Sequence, residues 1–305
     1  GRRTLLLCYN RPLAEMLRER LPPGGTVNSW HGFCGELLRR HDIALDYAQV
    51  HETGFWMRVT EQIIGLELPE SERFDTIIID EAQEFEEIWW LTLKDCLLVE
   101  GGEVLWLEDH LRSDGATGSM PDGISVTYRA RENFRSPHRI AHFINQRFPE
   151  YQFESLNGIV GLDAEEHTVD SPQRQLTVVD KRIKALLRQG LKPADIVILT
   201  CLPLAESAFC GIEKLGPTPV RQFTGRYDEE GNRVYTEGEL RFTSVARFQG
   251  QQSPAVILVD ADWSPGVDLA ERRQTLFLGM TRATLRLDVI SVDGPESSER
   301  VPSAG

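Results

Sequence analysis

An α/β fold built on parallel, doubly wound sheets and divided into two domains is predicted by three features of the sequence. Thr76 to Ile79 is a short, uncharged, β-branched run that ends abruptly in two acids, Asp80 and Glu81. A buried parallel strand looks like this where it delivers carboxylates to the upper edge of its sheet. Further apolar runs alternate with stretches of helical spacing along the whole chain, the pattern of successive βα units. Finally, 305 residues are enough for two domains with cores of ordinary size.

Each element follows from local pattern. Thr4 to Tyr9 is the first strand, and Asn10-Arg11-Pro12 opens a helix through about Leu21, with Leu13, Met16, Leu17 and Leu21 at helical spacing. Pro22-Pro23-Gly24-Gly25 ends it; Thr26 to Ser29 is a second strand, and Trp30 to Cys34 leads into a helix reaching about Arg40. Residues 42 to 73 are weakly patterned, with an amphipathic helix expected around Phe55 to Ile64. The central strand is followed by a predicted helix from Phe85 to Leu98, a strand from Glu103 to Leu107 ending in Glu108 and Asp109, and a Gly- and Ser-rich loop from Ser113 to Gly123. Ile124 to Tyr128 is a short strand, and a domain boundary is placed near residue 128.

Beyond it, Arg131 to Pro137 reads as a loop and His138 to Phe148 as a helix, while residues 149 to 172 are irregular and acidic. Leu176 to Gln189 is a helix closed by Gly190. A strand from Asp195 to Thr200 precedes a predicted helix from Leu202 to Leu215. Val220 to Phe242 forms a β-ribbon around Asp228 to Asn232. Ala255 to Asp260 is a strand, Leu269 to Arg282 a helix, and Leu287 to Val292 the last strand. The expected domains are therefore 1–128 and 129–293, followed by a disordered tail, 294–305.

At 41% hydrophobic and 26% charged the composition is that of a soluble globular protein, and no apolar run is long enough to span a membrane. Five scattered cysteines without a C-x-x-C pair indicate neither a zinc site nor a disulfide framework, which makes a reducing cytoplasm the expected location. His138 and His142 share a helix face but lack a third ligand. The net charge of −14 weighs against a protein that holds duplex DNA by phosphate neutralisation. It leaves room for one that grips a single strand in a local cleft.

Ligands of such sheets bind at the carboxyl ends of the strands. In nucleotide hydrolases the first acid there holds Mg²⁺ through water and the next polarises the attacking water, which points to Asp80 and Glu81. By itself the pair also fits a core strand running into an acidic helix cap. Six stretches in sequence order carry more weight: Thr4 to Arg11 (TLLLCYNR), Thr26 to Phe33 (TVNSWHGF), Ile77 to Gln83 (IIIDEAQ), Asn133 to Pro137 (NFRSP), Thr243 to Gln252 (TSVARFQGQQ) and Leu276 to Ala283 (LFLGMTRA). In that order they resemble motifs Ia, Ib, II, IV, V and VI of the UvrD/Rep-like superfamily 1 DNA helicases.

The resemblance implies two RecA-like domains of a P-loop NTPase helicase core, the first N-terminally incomplete, which use ATP and Mg²⁺ to move on single-stranded DNA. Asp80 would hold Mg²⁺ through water and Glu81 would orient the attacking water. Gln83 would couple the phosphate site to the nucleic-acid site. Arg135 and Arg282 would compensate the charge that develops on the γ-phosphate, with ATP in the cleft between domains. Gln249, Gly250 and Gln252 would complete the nucleotide site, and Tyr9, Asn10, Ser29, Trp30 and His31 would contact DNA, their rings available for stacking.

Three positions depart from the family pattern. No G-x-x-x-x-G-K-[ST] occurs; in the family this phosphate-cradling loop precedes motif Ia, where the chain starts without a Met, so the N-terminus is expected to have been cut away. Arg112 stands where motif III carries Gln, and Gln252 where motif V carries Glu. The inserts are short, resembling compact members whose core is fused to another domain, sometimes a nuclease-like one. The expectation is a helicase fragment that is itself inactive; the alternative is a degenerate, non-hydrolysing helicase-like module that binds DNA or protein.

Overall fold

In the computed structural model of the chain, residues 1–50, 52–108, 121, 123–124, 128, 132–151, 154–156, 158–227, 233–263 and 269–292 are described. The chain divides into two compact units, Gly1–Arg129 and Ala130–Gly305. Their sheets are predominantly parallel and seven α-helices occur among the described residues, an α/β architecture compatible with a RecA-like helicase fold.

The first unit is a four-stranded parallel sheet of β1 (Thr4–Cys8), β2 (Thr26–Ser29), β3 (Phe74–Asp80) and β4 (Leu98–Trp106), in the order β2-β1-β3-β4. Its helices are α1 (Arg11–Arg20), α2 (Trp30–Arg40), α3 (Phe55–Ile64) and α4 (Glu87–Thr92). Leu5, Leu7, Ile77 and Ile79 meet Phe33 and Leu37 of α2, Val59 and Ile63 of α3, and Trp89 of α4 in one core. Cys8 packs instead against Leu13 and Ala14 of α1. That helix starts where Asn10 Oδ1 accepts from the Leu13 amide at 2.9 Å, with Pro12 in its first turn and Arg18 and Arg20 in its last.

The helix predicted from Phe85 to Leu98 is shorter. After α4 the chain makes one π-helical turn, Leu93–Leu97, and β4 begins at Leu98 rather than Glu103. Leu98 pairs with Phe74 and Glu103 with Thr76, so β4 carries extra residues. They fit because Gly101 takes φ +74°, a left-handed turn that interrupts the ladder.

The second unit contains β5 (Glu132–Asn133), α5 (His138–Arg147), β6 (Glu154–Ser155), β7 (Glu165–Val169), α6 (Pro172–Arg188), β8 (Ile196–Thr200), β9 (Lys214–Leu215), β10 (Thr218–Arg221), β11 (Phe223–Tyr227), β12 (Arg233–Tyr235), β13 (Leu240–Ser244), β14 (Ser253–Ala261), α7 (Leu269–Met280) and β15 (Ala283–Val292). The main sheet has the order β7-β15-β14-β8-β13-β10-β9, antiparallel only between β9 and β10. Val179, Ile183 and Leu186 of α6 cover Ile196, Ile198, Ile257 and Ile290. The ribbon expected from Val220 to Phe242 is shorter: β11 and β12 form it, with the tip, 228–232, outside the described residues, whereas its two ends belong to β10 and β13, which pair in parallel within the main sheet.

Two expectations are corrected. Leu202 to Leu215 is not a helix: a short 3-10 turn, Leu204–Glu206, leads through turns into β9. Ser207 is drawn away by a 2.7 Å hydrogen bond to Asp260, and Gly211 takes φ +76°. Residues 149 to 172 are not wholly irregular, for β6 and β7 lie there; β7 pairs in parallel with β15. The strand expected at Ile124 to Tyr128, most of the 113–123 loop, Asp109 to Arg112 and the tail lie largely or wholly outside the described residues. No helix among the described residues is long and apolar enough to cross a membrane.

Candidate functional site

Parallel strands leave their sheet on the same side, and in the first unit this gathers most of the candidate residues. The register sets Ser29, Cys8 and Asp80 in one row across β2, β1 and β3. The three exits above that row are Tyr9-Asn10, Trp30-His31 and Glu81-Ala82-Gln83. Asp80 Oδ1 accepts from the Glu81 amide at 3.0 Å, and Glu81 takes the left-handed conformation, φ 53° and ψ 44°. The buried Gln83 donates from Nε2 to Glu81 Oε2 at 2.7 Å, and the Ala82 amide donates to the Leu107 carbonyl at 2.9 Å. Two half-buried carboxylates on a backbone held by both neighbours are the hard oxygen donors that Mg²⁺ takes. The neighbouring Cys8 thiol is pushed up to about 12 by burial and then by the charge of Asp80, so it stays protonated and adds no charge.

The rings sort themselves differently. Tyr9 is exposed at the edge. Trp30 is fully buried, stacked on Trp89 at 5.6 Å and edge-on to Phe85 at 6.4 Å. The expectation that its ring is available to a base is therefore corrected: it belongs to the core. His31 lies between Trp56 and Trp89, with centroids 4.0 and 5.1 Å away, and burial pushes its pKa down to about 4. Ser29 Oγ accepts from the Gly32 amide at 3.2 Å and so starts α2.

In the second unit, Asn133 Oδ1 accepts from the Arg135 and Ser136 amides at 2.8 and 2.9 Å, an Asx turn that aims the chain into α5. Arg135 Nε then donates to Gln252 Oε1 at 3.2 Å. Arg282 follows α7; its Nε donates to the Leu278 carbonyl at 3.0 Å, and its own carbonyl accepts from the Ser253 amide at 3.0 Å. Ser253 starts β14 and pairs with Ala283, the first residue of β15. Arg135, Gln252 and Arg282 therefore lie together at the amino-terminal edge of these two strands. Gln249 is buried beside them in sequence, and Gly250 takes φ +76°, the turn that a glycine permits.

Residues 239–290 match the UvrD-like helicase C-terminal domain. The matched segment contains Gln249, Gly250, Gln252 and Arg282. No curated protein matches the chain. The match agrees with a UvrD/Rep-like helicase C-terminal part and points to a helicase-related function.

Two polar clusters in the second unit were not singled out from the sequence. Asp260, at φ 56° near the end of the helicase-like strand β14, is buried and accepts from Gln175 Nε2, Thr200 Oγ1 and Ser207 Oγ, each at 2.7 Å. Beside a later turn of α6, the helix that carries Gln175, the β7 residues Glu165 and His167 and the β15 residue Asp288 bring ligand atoms within 4.8 Å of one another. Arg182 lies 2.7 Å from Glu165 and 2.9 Å from Asp288, and Arg286 bonds both acids. Two arginines already balance the two carboxylates, so this cluster is an internal ion network rather than a cation site. Only the i, i+2 spacing of Glu165 with His167 and of Arg286 with Asp288 could have signalled it, and such pairs are common in strands.

Proposed function

We propose that the chain is the greater part of an ATP- and Mg²⁺-dependent motor that moves along single-stranded DNA, its two units being RecA-like. The observation that carries the reading is the convergence of Arg135, Gln252 and Arg282 at one strand edge, although motifs IV, V and VI are far apart in sequence. Phosphoryl transfer to water needs little covalent help and much charge compensation, which two arginines supply. In the first unit Asp80 would hold Mg²⁺ and Glu81, fixed by Gln83, would orient the attacking water. The metal ion supplies charge neutralisation at the phosphates. No G-x-x-x-x-G-K-[ST] occurs among the 305 residues, so hydrolysis needs that loop from outside them.

Tyr9 and Asn10 offer a ring and a polar turn to DNA, whereas Ser29 acts there mainly by capping α2 and His31 by packing between Trp56 and Trp89. A fused or associated nuclease-like domain and a cytoplasmic setting complete the proposal. The competing reading, a non-hydrolysing DNA- or protein-binding module, is favoured by Gln252: its neutral amide oxygen meets Arg135, where a glutamate would meet it with a full charge. The test is DNA-stimulated ATP hydrolysis by the longer protein carrying the loop. Glu81→Gln should reduce the rate at least about 100-fold, as loss of a general base does, while leaving DNA binding intact. A normal rate in that variant removes Glu81 from its role, and no hydrolysis in the unmutated protein favours the binding module.

A further inference from the structure

We infer that Arg221 and Arg241 form a further contact for the phosphate backbone of single-stranded DNA, with Tyr235 beside them as a surface on which a base stacks. The inference rests on the single-stranded DNA reading and extends it to residues outside the helicase motifs. It starts from strand alternation. Val220, Leu240 and Phe242 point into the core under α6, so Arg221 and Arg241 point to the opposite face. The parallel register of β10 and β13 makes the two arginines direct neighbours. Both are exposed.

Each guanidinium lies on an aromatic shelf. Arg221 is 5.0 Å from the Tyr235 centroid and Arg241 is 5.6 Å from that of Phe248. Arg247, in the turn after β13, lies 5.4 Å from Phe223, whose ring meets Tyr235 edge-on at 6.2 Å. Arg241 Nη1 also donates to Gln251 Oε1 at 2.8 Å, which fixes its direction without neutralising it. Among the described residues neither Arg221 nor Arg241 forms an ion pair, in a chain whose net charge is −14. Burial and the neighbouring Arg221 charge both depress the Arg241 pKa, so the pair repels itself as it stands.

An anion seated between the two groups relieves that repulsion. Planar guanidinium forks match phosphate oxygens, and the exposed ring of Tyr235 matches a base, while the buried Phe248 only supports Arg241. An acidic peptide would satisfy the charges but make little use of Tyr235, which is why a nucleic-acid strand is the better occupant.

The experiment measures binding of a fluorescent oligothymidylate to the 305-residue chain by anisotropy, across a range of salt concentrations. Each phosphate contact on a single strand contributes about 0.7 to the slope of log K against log salt. Arg221→Ala with Arg241→Ala should lower the slope by about 1.4 and weaken binding about 25-fold at about 0.1 M salt. Arg221→Lys with Arg241→Lys should keep the slope, and Arg139→Ala, which removes a partner of Asp163, should change nothing. An unchanged slope and affinity in a double alanine variant with a native circular dichroism spectrum overturns this inference and leaves the DNA reading standing. No binding by the unmutated chain at low salt overturns both. Binding of polyglutamate in preference to oligothymidylate, lost in the double variant, assigns the surface to an acidic protein and likewise overturns it.

Discussion

Lowering the pH from about 7.5 to about 5 should remove about 2 kcal/mol of stability from the first unit through one side chain, His31. The imidazole lies against Trp56 and Trp89, and burial takes its pKa from 6.5 to about 4. The unfolded chain therefore binds this proton at a pH where the folded chain refuses it. Stability is full above the unfolded value, falls as pH drops below about 6.5, and has lost its whole contribution near pH 4. The gap between the two values corresponds to about 3 kcal/mol, at about 1.4 kcal/mol for each pH unit, of which about 2 is lost by pH 5. The assay is urea unfolding at the two pH values, comparing the natural chain with His31→Phe, which keeps a ring on Trp56 and does not titrate. Asp75, held low first by the Arg3 amide and then by its guanidinium, and Glu165, held low against its burial by Arg286 and Arg182, lose their contributions at still lower pH, equally in both proteins. If the two proteins lose the same stability between these pH values, His31 is not buried as neutral imidazole and the reasoning fails.

Three further outcomes follow from packing in the second unit. Asp288→Ala leaves Arg182 and Arg286 facing each other with one carboxylate fewer, and should cost about 3–5 kcal/mol by urea midpoint, as loss of one member of a buried ion pair does. A Cβ on Gly279 would lie 2.6 Å from Leu258 Cδ1 and 3.0 Å from Val245 Cγ2. Gly279→Val should therefore destabilise by about 1–3 kcal/mol in thermal melting. Thr200→Val removes one of the three donors to the Asp260 carboxylate and should cost about 1.5–3 kcal/mol by urea midpoint, the range for a hydrogen bond to a charged group.

The core strands were legible because burial on both faces removes every charge from them, as in Ile77 to Ile79 or Ile196 to Thr200. Helices with a proline or an Asx cap at one end and arginines at the other, such as α1, were equally plain. β7 was not, since Glu165, Glu166 and His167 read as solvated residues until Arg182 and Arg286, distant in sequence, are seen to meet Glu165, and Arg147 to meet Glu166. The spacing of Leu204, Ala208 and Ile212 imitated a helix, but Ser207 answers to Asp260, which local pattern cannot show. At the candidate site, the acids were legible as residues at a strand end. The fate of the rings was not, because Trp30 and Tyr9 differ only in what α4 covers.

The conformation of Glu81 has a consequence for how this site is maintained. At φ 53° a residue with a side chain is strained by about 1–2 kcal/mol, and a glycine would adopt the same turn without that strain. That relief is offset within the fold, because glycine also removes the carboxylate to which the buried Gln83 Nε2 donates at 2.7 Å, a loss of about 1–3 kcal/mol. The strained turn and the buried amide therefore hold each other in place, and fold stability alone leaves position 81 close to neutral between the acid and glycine.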